Sequence, residues 1–257
     1  MNPVFIALIV FVCTSGAALV GILLHAKLPA HHLDSDSRDV VKLVMGLIAT
    51  MAALVLSLLI ASAQSSYSSQ NDELRGIAAK IIELDRLLAH YGPETAESRG
   101  LLRQTIVAAH DRIWLQAGVS RQAIDALNAR GESNKFYEML SSLSPKTDAQ
   151  RFVLSRAFQI SDEIAQTRLL LFAQGGGSIS SPFLFILMFW LSILFLGFGL
   201  FARMHATVGV ALLVGAVSVS AAIFLIVELS NPYGGFIQLS DAPLLRALSQ
   251  IGSPDKP

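Results

Sequence analysis

Four stretches of this chain hold no Asp, Glu, Lys or Arg at all: residues 4–24, 43–63, 183–202 and 206–227, each 20 to 22 residues long. At 15% charged residues, chance would place ~3 charges in each run, so the gaps are a design feature of the sequence. A bilayer core needs about 20 apolar residues per helical crossing. The runs therefore predict four transmembrane helices and exclude a soluble single domain, a collagen-like chain and a disordered chain.

All 19 basic and 19 acidic residues lie in the segments between and after these runs, whose composition is that of an ordinary soluble domain. Charges nearly cancel region by region: residues 64–182 carry 13 of each sign and the 25–42 loop three of each. No basic face for nucleic acid is expected. The single cysteine, Cys13, sits inside the first apolar run, which leaves no disulfide framework, CxxC motif or thiolate metal site. That first run is too long for a signal-peptide core and is followed by His25-Ala26-Lys27 rather than a small-x-small cleavage site. It is read as a retained span.

The expected architecture is an all-α membrane protein with a helical extramembrane domain between the second and third spans. Residues 1–63 hold the first two spans and a short loop, 64–182 the domain, 183–230 the last two spans, and 231–257 an amphipathic tail. Asp36 and Asp39 suit the N-cap and first turn of the second span, and no proline interrupts residues 30–92. That helix should therefore continue past the membrane. Leu74, Ile77, Ile81, Leu84, Leu88 and Tyr91 alternate in steps of three and four, a coiled-coil seam. Gly92-Pro93 ends it, and a second helix over 97–116, with Leu102, Ile106, Ala109 and Ile113 on one stripe, completes an antiparallel hairpin. Further helical segments are expected around 120–128 and 134–143. After Pro145, Val153, Ala157, Ile160, Ile164 and Leu171 form another stripe. Gly175-Gly176-Gly177 reads as a hinge and Ser181-Pro182 as the start of the third span. Only Arg203-Met204-His205 separates the third span from the fourth, so these two form a tight hairpin.

Chemistry-bearing patterns are scarce. His31-His32 is an adjacent pair with no third ligand near it, and His90 and His110 fall at different heights of the hairpin, so no metal site is expected. There is no phosphate loop, HExxH motif or nucleophile beside a base. Neither an enzymatic activity nor a cofactor is expected. With no ionisable side chain in the spans, a proton-coupled pump is disfavoured.

The second span carries two patterns of its own. Ala49, Ala53, Ser57 and Ala61 make a ladder of small residues that permits close helix approach, within the chain or between subunits. Ala17-xxx-Gly21 and Ala211-xxx-Gly215 repeat the device. Leu47, Met51, Leu54 and Leu58 form a bulky stripe that faces lipid or lines a hydrophobic constriction. The ladder and the seam both point to a homo-oligomer.

Directly after the last span, Glu228-Leu229-Ser230-Asn231-Pro232-Tyr233-Gly234 resembles the E-x-x-N-P-F-G segment that follows the last membrane helix of bestrophin anion channels. The four-span layout, with a large helical region in the middle, is similar too. Residues 31–66 and the stretch from Leu84 to Glu94 resemble a bacterial bestrophin-like family, and the two resemblances together cover nearly the whole chain. They mark Glu228, Asn231, Pro232, Tyr233 and Gly234 as family-motif positions. They imply a pentameric, multi-pass protein of the cell membrane that conducts chloride or another small anion, its neck formed by Leu47, Met51, Leu54 and Leu58. Two departures stand out: bestrophin necks are rich in phenylalanine and this second span has none, and the acidic calcium clasp that follows N-P-F-G is reduced here to Asp241. The alternative is a non-conducting membrane scaffold or sensor acting through its helical domain.

Overall fold

The computed structural model describes residues 2–27, 35–115, 130–174, 181–201, 205–231 and 235–251, and they are helical with no strand among them. We number the helices α1 (Pro3–Lys27), α2 (Ser35–Tyr91), α3 (Ala96–His110), α4 (Arg130–Ser142), α5 (Asp148–Gln174), α6 (Ser181–Phe201), α7 (Ala206–Leu229) and α8 (Ala242–Gln250). Four helices are long and apolar enough to cross a membrane: α1, the first part of α2, α6 and α7. The chain divides into two compact units, residues 1–66 with 178–230 and residues 67–177 with 231–257. The expected continuation of the second span is observed, since α2 is one uninterrupted helix that contributes to both.

In the membrane unit, α1 packs against both α6 and α7. The α1–α6 contact is made by glycine: a Cβ on Gly21 would collide with the backbone of Leu196 and come 2.9 Å from Leu200 N, and one on Gly199 would collide with Ala18 O and come 3.1 Å from Ile22 N. Dispersion and close packing drive helix association in lipid, where burial from water adds nothing. The Ala17-xxx-Gly21 device thus serves packing within the chain. Val10 of α1, Met45 and Ala52 of α2, Leu187 and Leu191 of α6 and Ile223 of α7 share one buried cluster. Between α6 and α7, Phe195 packs with Ala216 and lies 3.4 Å from where a Cβ of Gly215 would stand.

The second unit is a helical domain. Every residue of the expected seam, Leu74 through Tyr91, is buried. Its occupant is not another chain: Ile77, Ile81, Leu84 and Leu88 pack with Leu102 and Ile106 of α3, Leu140 of α4, Ala157 and Ile160 of α5, and Leu244 and Ala247 of α8. The seam therefore gives no support to an oligomer, because a three-four repeat shows only that a face is buried and not which chain buries it. Gly92 turns the chain with φ 138°, a conformation that glycine adopts without strain. Arg99 grips Asp85 across the α2–α3 hairpin with two hydrogen bonds of 2.8 Å.

One boundary also differs from expectation: the helix placed over 97–116 stops at His110 and passes into a π-helical turn, Asp111–Leu115. The amphipathic tail contributes α8 to the core, with Leu244, Ala247 and Ile251 buried in it. The Gly175–Gly177 hinge, the 120–128 segment and His31-His32 lie outside the described residues.

Candidate functional site

The first part of α2 divides into distinct faces. Met45, Ala52 and Ala63 are buried and Ile48, Leu56 and Leu59 half-buried, a stripe turned into the membrane unit. At ~100° per residue, Leu47, Met51, Leu54 and Leu58 lie within ~60° of one another and ~130° round from that stripe. All four are exposed on the protomer, between 45% and 63%. Within residues 43–63 there is no charged side chain, so this face offers a continuous hydrocarbon surface.

The ladder falls on the flank between. Ala49 is half-buried, whereas Ala53, Ser57 and Ala61 are exposed, so most of the ladder is not consumed by packing inside the chain. Thr50 joins the same flank; its hydroxyl donates to Leu47 O at 2.8 Å and so places no unmet hydrogen bond there. The position of Thr50 follows from the same periodicity, but its hydroxyl removes it from a search for small apolar residues.

Of the family-motif residues, Glu228 is fully buried near the end of α7 and Asn231 is half-buried just beyond it. Pro232, Tyr233 and Gly234 lie outside the described residues. Asp241 faces a different group. Its Oδ2 is 3.3 Å from His110 Nε2, while His110 Nδ1 is 3.1 Å from Asp111 Oδ1. The His110 ring stacks on Trp114 with centroids 5.4 Å apart, and Trp114 Nε1 donates to Leu239 O at 2.9 Å. Tyr67 adds a hydrogen bond of 3.3 Å to Gln238 O. Together these side chains pin the segment leading into α8 onto the domain. Sequence reasoning missed this cluster, since its long-range contacts span 125 to 171 positions and no short motif joins them. No group of three or more His, Cys, Asp or Glu suited to a metal ion occurs among the described residues. His90 is exposed, its Nδ1 bonded to Arg86 O of its own helix.

The observed arrangement is a four-helix membrane unit with an apolar, outward-facing α2 and a separately packed helical domain inserted between the second and third spans. No curated protein and no solved structure matches the chain significantly. A family model described as the bestrophin-like domain matches residues 12–244. That match takes in most of α1, the other three membrane helices and the whole of the inserted domain, and the chain therefore belongs to the bestrophin-like domain family.

Proposed function

We propose that this membrane protein assembles as a homo-oligomeric, multi-pass pore of the cell membrane that passes chloride or another small solute. The observation that supports the reading best is the position of Leu47, Met51, Leu54 and Leu58 on the side of α2 left open by the protomer. Copies of such a face gathered about a symmetry axis make an apolar neck, which controls passage by expelling water from the constriction. The uncharged 43–63 segment supplies no carboxylate ring to repel an anion. Five subunits is the number implied by the resemblance to bestrophin channels. No enzymatic step or cofactor enters this reading.

Chloride flux into liposomes containing the purified protein tests it. Leu54→Ala and Leu58→Ala widen and wet the neck and should raise flux several-fold over wild type. Variants as silent as empty liposomes, though assembled like wild type, would instead assign the chain to the scaffold or sensor class.

A further inference from the structure

An open groove of about 590 Å³ runs along the membrane unit between α2, α6 and α7. Gly46 and Ala49 of α2, Gly197 and Phe198 of α6, and Val208 and Ala211 of α7 line it. Gly46 gives the groove its depth, because a Cβ at that position would meet nothing within 4 Å. Gly197 lets Met45 lie flat against α6: the Met45 Sδ and Cε are 2.5 Å from where a Cβ would stand. The volume falls in the range of about 300–1,000 Å³ usual for small-molecule sites, and its lining is almost wholly hydrocarbon.

One charged residue borders it. Lys42 belongs to the lining and immediately precedes the apolar run of α2, the depth at which a lysine lays its stem along apolar surface and keeps its ammonium in the headgroup layer. Its Nζ is 3.1 Å from Asp39 Oδ1, with both side chains well exposed. Such an exposed pair contributes little and yields readily to another anion. Val208 lies in the first turn of α7, where the helix dipole also favours negative charge. A groove that is apolar along its length and cationic at its membrane-surface end is complementary to one kind of molecule in a bilayer.

We infer that this groove binds an anionic phospholipid, with one acyl chain along Gly46, Ala49 and Phe198 and the headgroup phosphate on the Lys42 ammonium. The site does not depend on whether the chain conducts, and its test reads lipid retention alone. Purified, delipidated full-length protein is titrated with dioleoyl phosphatidylglycerol or dioleoyl phosphatidylcholine, and bound lipid is counted by native mass spectrometry. Wild type should retain the anionic lipid about fivefold more tightly, the value of one lysine near an anionic membrane surface. Lys42→Gln should abolish that preference and Lys42→Arg keep it. Gly46→Leu and Ala211→Leu fill the groove from opposite walls and should reduce retention of both lipids while helical content is unchanged. Equal affinity for the anionic lipid in wild type and Lys42→Gln would overturn the inference, as would undiminished retention in both leucine variants. A disulfide between copies at Ala211→Cys in a Cys13→Ser background would also overturn it, by showing a second copy in the groove.

Discussion

The Cβ that Gly21 lacks would stand inside van der Waals contact of the Leu196 carbonyl oxygen. One turn along α1, His25 Nδ1 is 2.7 Å from Leu200 O, which fixes Nδ1 as the protonated nitrogen when the ring is neutral. Two helix backbones thus meet without an intervening side chain, and the hydrogen bond seals the end of the contact.

Gly21→Leu should therefore separate α1 from α6. Overpacking of this kind costs about 1–3 kcal/mol, here against backbone that has little room to yield. Gly16→Ala on the same helix is the control, since a Cβ at Gly16 meets nothing within 4 Å. Thermal unfolding in detergent should show a clear drop in midpoint for Gly21→Leu and almost none for Gly16→Ala.

The seam of α2 makes a different prediction now that its partners are known to be α3, α4, α5 and α8. Leu84 is 1% exposed, and Leu84→Ala should cost about 2–5 kcal/mol by leaving a cavity. Because the cavity opens inside one chain, subunit number in native mass spectrometry should stay at the wild-type value. A change in assembly with normal stability would return the seam to an inter-subunit role.

Periodicity made the helices legible and left their partners obscure. In the stripes over 102–113 and 153–171, Leu102, Ile106, Ile113, Ala157, Ile160 and Leu171 are buried and Ala109, Val153 and Ile164 half-buried, because helix register alone decides which side chains share a face. The same register isolated Leu47, Met51, Leu54 and Leu58 as one stripe. It carried no information on what each face meets: the seam read as inter-chain is filled within the chain, and most of the ladder remains exposed. The Asp85–Arg99 pair, the Gly199–Ala18 contact and the His110–Asp241 contact join separate elements, and pairings of that kind leave no mark in local spacing.

Tyr137 donates its hydroxyl to the Asp162 carboxylate. Burial pushes its ionisation well above the ordinary tyrosine range, with the hydrogen bond and the charge of Asp162 adding to the effect. The neutral phenol is therefore favoured in the folded state. This contribution is complete below the unfolded-state value of about 10 and is lost as pH rises toward the folded value. Tyr137→Phe should accordingly flatten the decline in stability above about pH 10 in alkaline unfolding curves.

Four crossings would put the inserted domain and both termini on one face of the membrane. Single cysteines at Ser133 and Ser253, in a Cys13→Ser background, should react with an impermeant maleimide from the same side; labelling from opposite faces would break the four-span topology. The same labels decide between two arguments for which side that is. Lys27, Arg38, Lys42 and Arg203 draw the short loops to the cytoplasm by the positive-inside rule, against Arg75 and Arg168 flanking the domain. The resemblance to bestrophins instead places the domain there.

Assembly is the prediction on which the α2 faces converge. With the seam satisfied inside the chain, the flank of Ala53, Ser57 and Ala61 is what remains on α2 for a neighbouring subunit, and close approach of backbones is the contact that small residues permit. Ala53→Leu should hold two helices apart and shift the purified protein toward monomer in native mass spectrometry. Leu58→Ala alters the adjacent face and should leave the oligomer intact while changing flux. The pair of variants separates the contact that gathers subunits from the surface they would enclose. A protein that is monomeric before any substitution removes both, since a lone α2 has no axis to line.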